Sequence, residues 1–266
     1  MMFLTAHSVS YAYAPRRGVA AEPVLRDVTV DVAPGALVGL LGPNGCGKTT
    51  LLNLLSGVLT ADAGSVSLDG RPLASMSRRD IARRIAVVPQ ETHPAFEFTV
   101  MEMVLMGRHP HLGLMALEGP ADFAVVHDAL EATGTRHLAA RRFTELSGGE
   151  RQRVVIAGAL AQSADVLLLD EPTASLDLGY QLDVASLLVR LNRQRGVTMV
   201  LATHDLNLAA AVCDTLILLR NGRVLAQGAA DEILTPATVR DLYDVDADVA
   251  FHERAGHLTV VPLARR

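Results

Sequence analysis

The chain has 266 residues, half of them hydrophobic, with a net charge of −5 and a pI near 6.0. It is long enough to bury a large core as one domain, or as one domain with an inserted subdomain, and it carries no basic field of the kind that draws nucleic acid. Two cysteines without CxxC spacing exclude a disulfide framework and a thiolate metal site, and the absence of a signal-peptide pattern or a long apolar run predicts a chain neither exported nor membrane-spanning.

Along the chain, Leu4 to Tyr13 alternates as a strand, Arg16 to Pro23 reads as a loop, and Val24 to Val32 alternates as a half-buried strand closed by Pro34-Gly35. Ala36 to Leu41 is a buried strand and Thr49 to Leu55 an apolar helix. Between them Gly42, Pro43, Asn44, Gly45, Cys46, Gly47, Lys48 and Thr49, with Thr50 after them, fit G-x-x-x-x-G-K-[ST]. In that pattern the glycines let backbone N–H groups converge on phosphate oxygens and the helix adds its positive end. Of 24 basic residues Lys48 alone is a lysine, a compact ammonium that slips between phosphate oxygens where a planar guanidinium does not fit.

Next come a strand at Gly64 to Leu68, a turn at Asp69-Gly70, a short helix near Arg78 and a strand from Ile85 to Val88 that ends at Pro89-Gln90. Helical periods dominate from Thr99 to Gln162, interrupted at 107–120 and 144–149. Strand and helix then alternate: Val166 to Leu169, Tyr180 to Gln194, Val197 to Ala202, Leu206 to Cys213 and Thr215 to Leu219. The expected fold is an α/β phosphate-loop core with an antiparallel β-subdomain and an inserted α-helical subdomain, in a single domain with core 1–90 and 163–266 and insert about 91–162. No internal repeat is visible.

Two further sites suit phosphate chemistry. Asp170 and Glu171 follow an apolar strand whose carboxyl end should meet the ligand crevice, so Asp170 is expected to face a Mg²⁺ held by Thr49, leaving Glu171 to polarise a water. Ser147 is a natural N-cap, and Gly148 and Gly149 leave N–H groups open before Glu150 and a helical run. A chain with two phosphate-binding helix ends either takes two phosphorylated ligands or completes its site with a second copy.

With these motifs together, the chain resembles the ATP-binding subunits of ATP-binding cassette (ABC) transporters from about Leu4 to Ala250. Leu146 to Glu150 is similar to the family signature, Gln90 to its glutamine loop, Ser175-Leu176-Asp177 to its aspartate loop and Thr203-His204-Asp205 to its histidine switch. The resemblance implies ATP hydrolysis with Mg²⁺, with ATP held by Lys48 of one copy and Ser147, Gly148, Gly149 and Glu150 of the other in a head-to-tail homodimer. It implies Glu171 as base, His204 on the γ-phosphate and attacking water, Gln90 on Mg²⁺ or its water, and Asp177 across the dimer interface. An aromatic stacked on adenine falls at Tyr13, with Tyr11 the competing choice. The implied partner is a membrane permease gripping the insert near Gln90 to Arg108, with a substrate-binding protein engaged only through that permease. The implied location is peripheral, on the cytoplasmic face of the membrane.

The segments Thr99 to Gly113, Leu176 to Leu182, Thr203 to Ala209 and the tail from Leu234 to Val249 resemble the branch serving importers of iron(III)-siderophores, cobalamin and haem. An iron chelate is the first expectation, cobalamin or haem the next. His93, His109 and His111 are not read as a metal sensor, because Pro110 interrupts them and no helix face gathers all three. Cys46 stands where the family usually has serine; at a helix N-terminus its thiol is expected to react with alkylating agents, more slowly with ATP present. A chromosome or repair ATPase would need a long coiled coil between Gln90 and Ser147, and no sustained heptads occur there. A phosphate-loop small-molecule kinase would need neither Ser147-Gly148-Gly149 nor Asp177.

Overall fold

The computed structural model describes residues 3–14, 22–92, 94, 96–113 and 115–265. In chain order the strands and helices are β1 (Leu4–Ala12), β2 (Pro23–Val32), β3 (Leu37–Leu41), α1 (Lys48–Leu55), β4 (Ala63–Leu68), β5 (Arg71–Pro72), α2 (Arg78–Ala82), β6 (Ile85–Val88), α3 (Val100–Leu105), α4 (Pro120–Ala132) and α5 (Gly148–Ala161). They continue as β7 (Val166–Asp170), α6 (Leu178–Arg195), β8 (Thr198–Thr203), α7 (Leu206–Val212), β9 (Thr215–Arg220), β10 (Arg223–Ala229), α8 (Ala230–Ile233), α9 (Pro236–Tyr243), β11 (Val245–His252) and β12 (His257–Arg265). The chain divides into two compact units, 1–76 with 198–266, and 77–197.

The first unit holds an antiparallel sheet in the order β2-β1-β4-β5 and a run β10-β9-β3-β8, in which β3 pairs in parallel with both β8 and β9. Leu37 to Leu41 is buried at every position, as expected for a strand covered on both faces, which is why it reads as an unbroken apolar run. β1 and β2 alternate instead, burying Leu4, Ala6, Val9, Leu25, Val28, Val30 and Val32. Each fully buried Leu or Val contributes about 1.5–3 kcal/mol relative to exposure.

Several elements of this unit were not legible beforehand, among them β10, which pairs antiparallel with β9; α9, capped by Thr235; and the hairpin β11–β12. The hairpin buries Ala247 and Val260 and leaves Phe251, Val261 and Leu263 exposed. Asn207 of α7 pins it, donating from Nδ2 to the Val260 carbonyl at 3.2 Å and accepting the Val260 N–H at 2.7 Å.

The second unit contains the parallel pair β6–β7 and the helices α2 to α6. Its helical core gathers Val100, Val104, Val126, Leu130, Leu138, Phe143, Val154 and Ala157, all buried. Capping chemistry sets the helix starts: Thr99 with Glu102 at α3, Ser147 with Glu150 at α5, and Asp177 at α6. Gly196, at φ 65°, ends α6 in the left-handed region that glycine adopts without penalty. The expected interruption at 107–120 opens with a 3-10 turn over Met106–His111.

Candidate functional site

In the first unit, β3 ends at Leu41 and the phosphate loop follows directly. Gly45 at φ 79° and Gly47 at φ 110° turn the chain through conformations that a side chain would strain, and Gly47 is the N-cap of α1. A Cβ on Gly42 would lie 2.2 Å from the Leu219 carbonyl oxygen, so only glycine lets the loop pass this close to β9. The turn after β9 clips the loop in place: Gly222 donates its N–H to the Cys46 carbonyl at 3.1 Å, and its own carbonyl accepts from Arg26 of β2 at 2.8 Å. Pro43, Asn44, Gly45 and Thr49 face outward, while Cys46, Gly47, Lys48 and Thr50 are buried.

Lys48 is the residue that defines the loop. Its ammonium folds back to donate to the Gly42 carbonyl at 2.8 Å and the Pro43 carbonyl at 3.4 Å. The side chain is 6% exposed, so the one lysine of the chain is stored inside the loop it serves. Tyr13 lies just past β1, exposed, and its hydroxyl meets the Thr50 hydroxyl at 3.2 Å. Tyr11, half-buried, stands edge-on to Tyr13 with ring centroids 5.0 Å apart. Tyr13 thus has an open ring face beside α1, and Tyr11 buttresses it. At the end of β8, His204 is exposed; its carbonyl accepts from the Tyr243 hydroxyl at 3.2 Å, and Asp205 caps α7 through the N–H groups of Asn207 and Leu208.

In the second unit, Asp170 is the last residue of β7, at 8% exposure, and Glu171 follows in a left-handed conformation at φ 45°. Such a conformation in a non-glycine residue costs about 1–2 kcal/mol and is found where a side chain must be aimed. A cavity of about 200 Å³ is lined by Gln90, Gly148, Gln152, Glu171, Ser175 and Leu176 among others, which brings the glutamine loop, the base candidate, the signature turn and the aspartate loop to one place. Ser147 accepts the Glu150 N–H at 3.3 Å while its own N–H donates to Glu150 at 2.8 Å. That backbone bond, then the side-chain bond to Ser147 and the nearby arginines, holds the Glu150 carboxyl below its ordinary range. Asp177 accepts the Tyr180 N–H at 3.0 Å.

One neighbour was not foreseen. The Tyr180 ring lies flush against Gly149, where a Cβ would sit 2.2 Å from the ring, and this fastens the start of α6 to the start of α5. For a divalent metal, the Thr49 hydroxyl, the Gln90 amide and the Asp170 carboxylate are hard oxygen donors of the kind Mg²⁺ selects. The histidine trio does not form a centre: His93 lies outside the described residues, His111 Nε2 donates to the Gln162 carbonyl at 2.7 Å, and among the described residues no three His, Cys, Asp or Glu could share a metal. Cys46 and Cys213 are both buried, so the expected reaction of Cys46 has to wait for the loop to open.

A family profile described as ABC transporter matches residues 25–174. The chain is 45% identical to the cobalamin import ATP-binding protein BtuD of Halobacterium salinarum over 93% of its own length and 62% of that protein. It therefore spans less than two thirds of that relative. It is 41% identical to the ferric enterobactin transport ATP-binding protein FepC of Escherichia coli, over 91% of this chain and 89% of that one. Against the hemin import ATP-binding protein HmuV of Bordetella avium the figures are 44%, 91% and 94%. Among solved structures, an inward-facing transporter classed provisionally as metal-chelate type superposes with a TM-score of 0.85 at 31% identity, covering 99% of this chain and 98% of that one. A dimeric bacterial ABC transporter cassette does so with a TM-score of 0.74 at 27% identity, covering 85% and 98%.

Proposed function

Because the chain belongs to the ABC transporter family, we propose that it is the ATP-hydrolysing subunit of an importer, driving uptake of an iron chelate through a membrane permease. The observation that carries the reading is the Gly42–Thr49 loop, with Lys48 already cradled on the Gly42 carbonyl and ready to exchange that oxygen for a phosphate oxygen. Backbone N–H groups from Gly45 to Thr50 hold the phosphates, and Tyr13 offers its exposed ring to the adenine. Thr49, Asp170 and Gln90 would hold Mg²⁺, which would supply positive charge to offset that of the phosphates. Glu171 takes the proton of the attacking water, and His204 hydrogen-bonds that water and the γ-phosphate.

Ser147, Gly148, Gly149, Glu150 and Asp177 are the groups that a second copy presents to the same nucleotide. The dimeric cassette among the structural relatives supports the pairing of two copies. Two ATP molecules close the pair and hydrolysis releases it, which passes work to the permease. Among the described residues no helix is long and apolar enough to cross a membrane. In this reading the permease holds the chain peripherally, on the cytoplasmic face, in keeping with the import ATP-binding relatives. A cavity of about 500 Å³ lined by Arg78, Arg79, His109, Leu112 and Met115, with Met115 and Leu117 almost fully exposed, supports permease contact on the insert. The substrate-binding protein then acts only through the permease.

The segments from Thr99 to Gly113 and from Leu176 to Leu182 resemble the branch that serves all three cargoes, and within it an iron chelate is our first reading. The identity to cobalamin and hemin relatives keeps both as the second reading. Growth of a deletion strain on single iron chelates, on cobalamin and on haem separates the cargoes, and unimpaired use of every iron chelate excludes the first. For the motor itself, Lys48→Ala abolishes ATP binding or hydrolysis in a filter-binding or phosphate-release assay. Glu171→Gln holds an ATP-bound dimer on size-exclusion chromatography, and nucleotides enclosed by single chains would overturn the pairing.

A further inference from the structure

The 3-10 turn Met106–His111 takes up the carbonyls at the C-terminal end of α5, the helix whose other end carries Ser147, Gly148 and Gly149. An α-helix leaves its last carbonyls without partners inside the helix. Here the Gly158 carbonyl accepts from Gln162 N–H at 3.2 Å and the Leu160 carbonyl from Ser163 N–H at 2.9 Å. The Ala161 carbonyl accepts from Arg108 Nη1 at 2.7 Å, and the Gln162 carbonyl from His111 Nε2 at 2.7 Å. Gly107 is pressed so close that a Cβ on it would lie 2.2 Å from the Gly158 oxygen. Gly107, Arg108 and His111 together close the end of α5.

Arg108 also reaches a second helix. Its Nε donates to Asp122 Oδ1 at 2.9 Å, its Nη1 to Ser163 Oγ at 3.0 Å, and its side chain is almost entirely buried. Asp122 in turn accepts the Gly119 N–H at 3.0 Å at the start of α4. The guanidinium thus sits at the negative end of α5 and the carboxylate at the positive end of α4, each where the helix field favours it. On its other side the same turn is held to α2, because the Pro110 carbonyl accepts from Arg79 Nε and Arg83 Nε, both at 2.9 Å.

We propose that Arg108, assisted by His111, is a positioning residue for ATP hydrolysis: by clamping the C-terminal end of α5 it aims the Ser147–Gly149 turn at the nucleotide held by a second copy. The proposal rests on the sandwich dimer put forward above. α5 has 14 residues and is about 21 Å long, so a tilt of about 3° at the clamp shifts the far end by about 1 Å. A misplacement of that size costs on the order of a hundredfold in an aligned reaction. Arginine is required because one fork must serve a carboxylate, a carbonyl and a hydroxyl at once, which a lysine ammonium on a flexible stem does not hold in register.

The test uses the full-length chain carrying Glu171→Gln and measures, by size-exclusion chromatography with light scattering, the ATP concentration that half-dimerises it. ATP affinity of the monomer and the melting temperature are measured alongside. Arg108→Gln is expected to raise the half-dimerising ATP concentration about tenfold or more, with monomer affinity within about twofold, and Arg108→Lys to recover only part of the loss. Should Arg108→Gln not fold, Arg108→Lys and His111→Ala carry the same comparison. Arg195→Gln is the control: it breaks the two-bond pair with Asp128 in the same unit and removes none of the hydrogen bonds that close the end of α5, and is expected to leave dimerisation unchanged. The clamp alone is overturned if the Arg108 variants dimerise like their parent, or if Arg195→Gln at an equal loss of melting temperature shifts dimerisation as far. If the Glu171→Gln parent itself stays monomeric in ATP, the sandwich reading falls, and the clamp with it.

Discussion

Lys48 shows how a single side chain sets the character of a site. Its ammonium donates to two loop carbonyls, so the buried charge has oxygen ligands within its own loop. The two cysteines divide along the same physical line. Cys213 is buried near Gly39, and burial, with the neighbouring Asp214 carboxylate, pushes its thiol far above the ordinary range. Its thiolate is scarcely populated at any ordinary pH. Cys46 is also buried, but it sits in the loop that must admit ATP, with its sulfur against Gly42. Treating the native protein with iodoacetamide at about pH 8 should therefore label Cys46 slowly, more slowly with ATP, and leave Cys213 unmodified. Peptide mass mapping reads the order, and labelling of Cys213 alone would reverse the assignment.

At the scale of elements, the two ends of α5 are fixed by different chemistry. The Ser147–Glu150 box caps the first turn, and the Tyr180 ring covers Gly149. A methyl at Gly149 must displace that ring, and overpacking of this kind costs about 1–3 kcal/mol. Gly149→Ala is thus expected to lower the melting temperature by several degrees, with part of the loss regained when Tyr180→Ala is added. Gly148→Ala meets only Leu176 at 3.4 Å and should change stability little. A calorimetric series of the three variants measures this, and equal losses for Gly148→Ala and Gly149→Ala would exclude the ring contact as the cause.

The same helix marks the limit of what the sequence discloses. Its start was legible because Ser147 and Glu150 are three residues apart and both act locally. Its run to Gln162 was legible from helical periodicity, but what closes that end was not, because Arg108 and His111 bond to backbone carbonyls, which leave no trace in side-chain identity, and they come from a stretch that Gly107 and Pro110 make look like a break. The strands β3, β6 and β7 were readable as apolar runs. β11 was not read as a strand, although Val245 to Val249 alternates, and its pairing partner is β12 alone. The sequence did not separate Tyr13 from Tyr11; the structure adds that Tyr13 is the more exposed ring and that its hydroxyl meets Thr50.

Over the whole molecule, the carboxyls that the fold perturbs fall unevenly between the two units. Among the described residues, the carboxyls held below their ordinary range are Glu102, Asp122, Asp128 and Glu150, and all four belong to the second unit. The leading cause is the Thr99 backbone N–H for Glu102, the Gly119 N–H for Asp122, the Arg195 side chain for Asp128 and the Ser147 N–H for Glu150. A carboxyl whose folded pKa is lowered contributes stability above its unfolded value, and that contribution is lost as pH falls through the folded value. Three of the four bonds close helix starts, at α3, α4 and α5, so protonation loosens the caps of those helices. As pH falls below about 4, through the ordinary carboxyl range and beneath it, hydrogen exchange is expected to quicken first within 77–197, led by the first turns of α3 and α5. The parallel strands β3, β8 and β9, buried and without a lowered carboxyl, should keep their protection to lower pH. Exchange followed by mass spectrometry over that range checks the order, and simultaneous loss from both units would show that acid acts on the fold as one cooperative body.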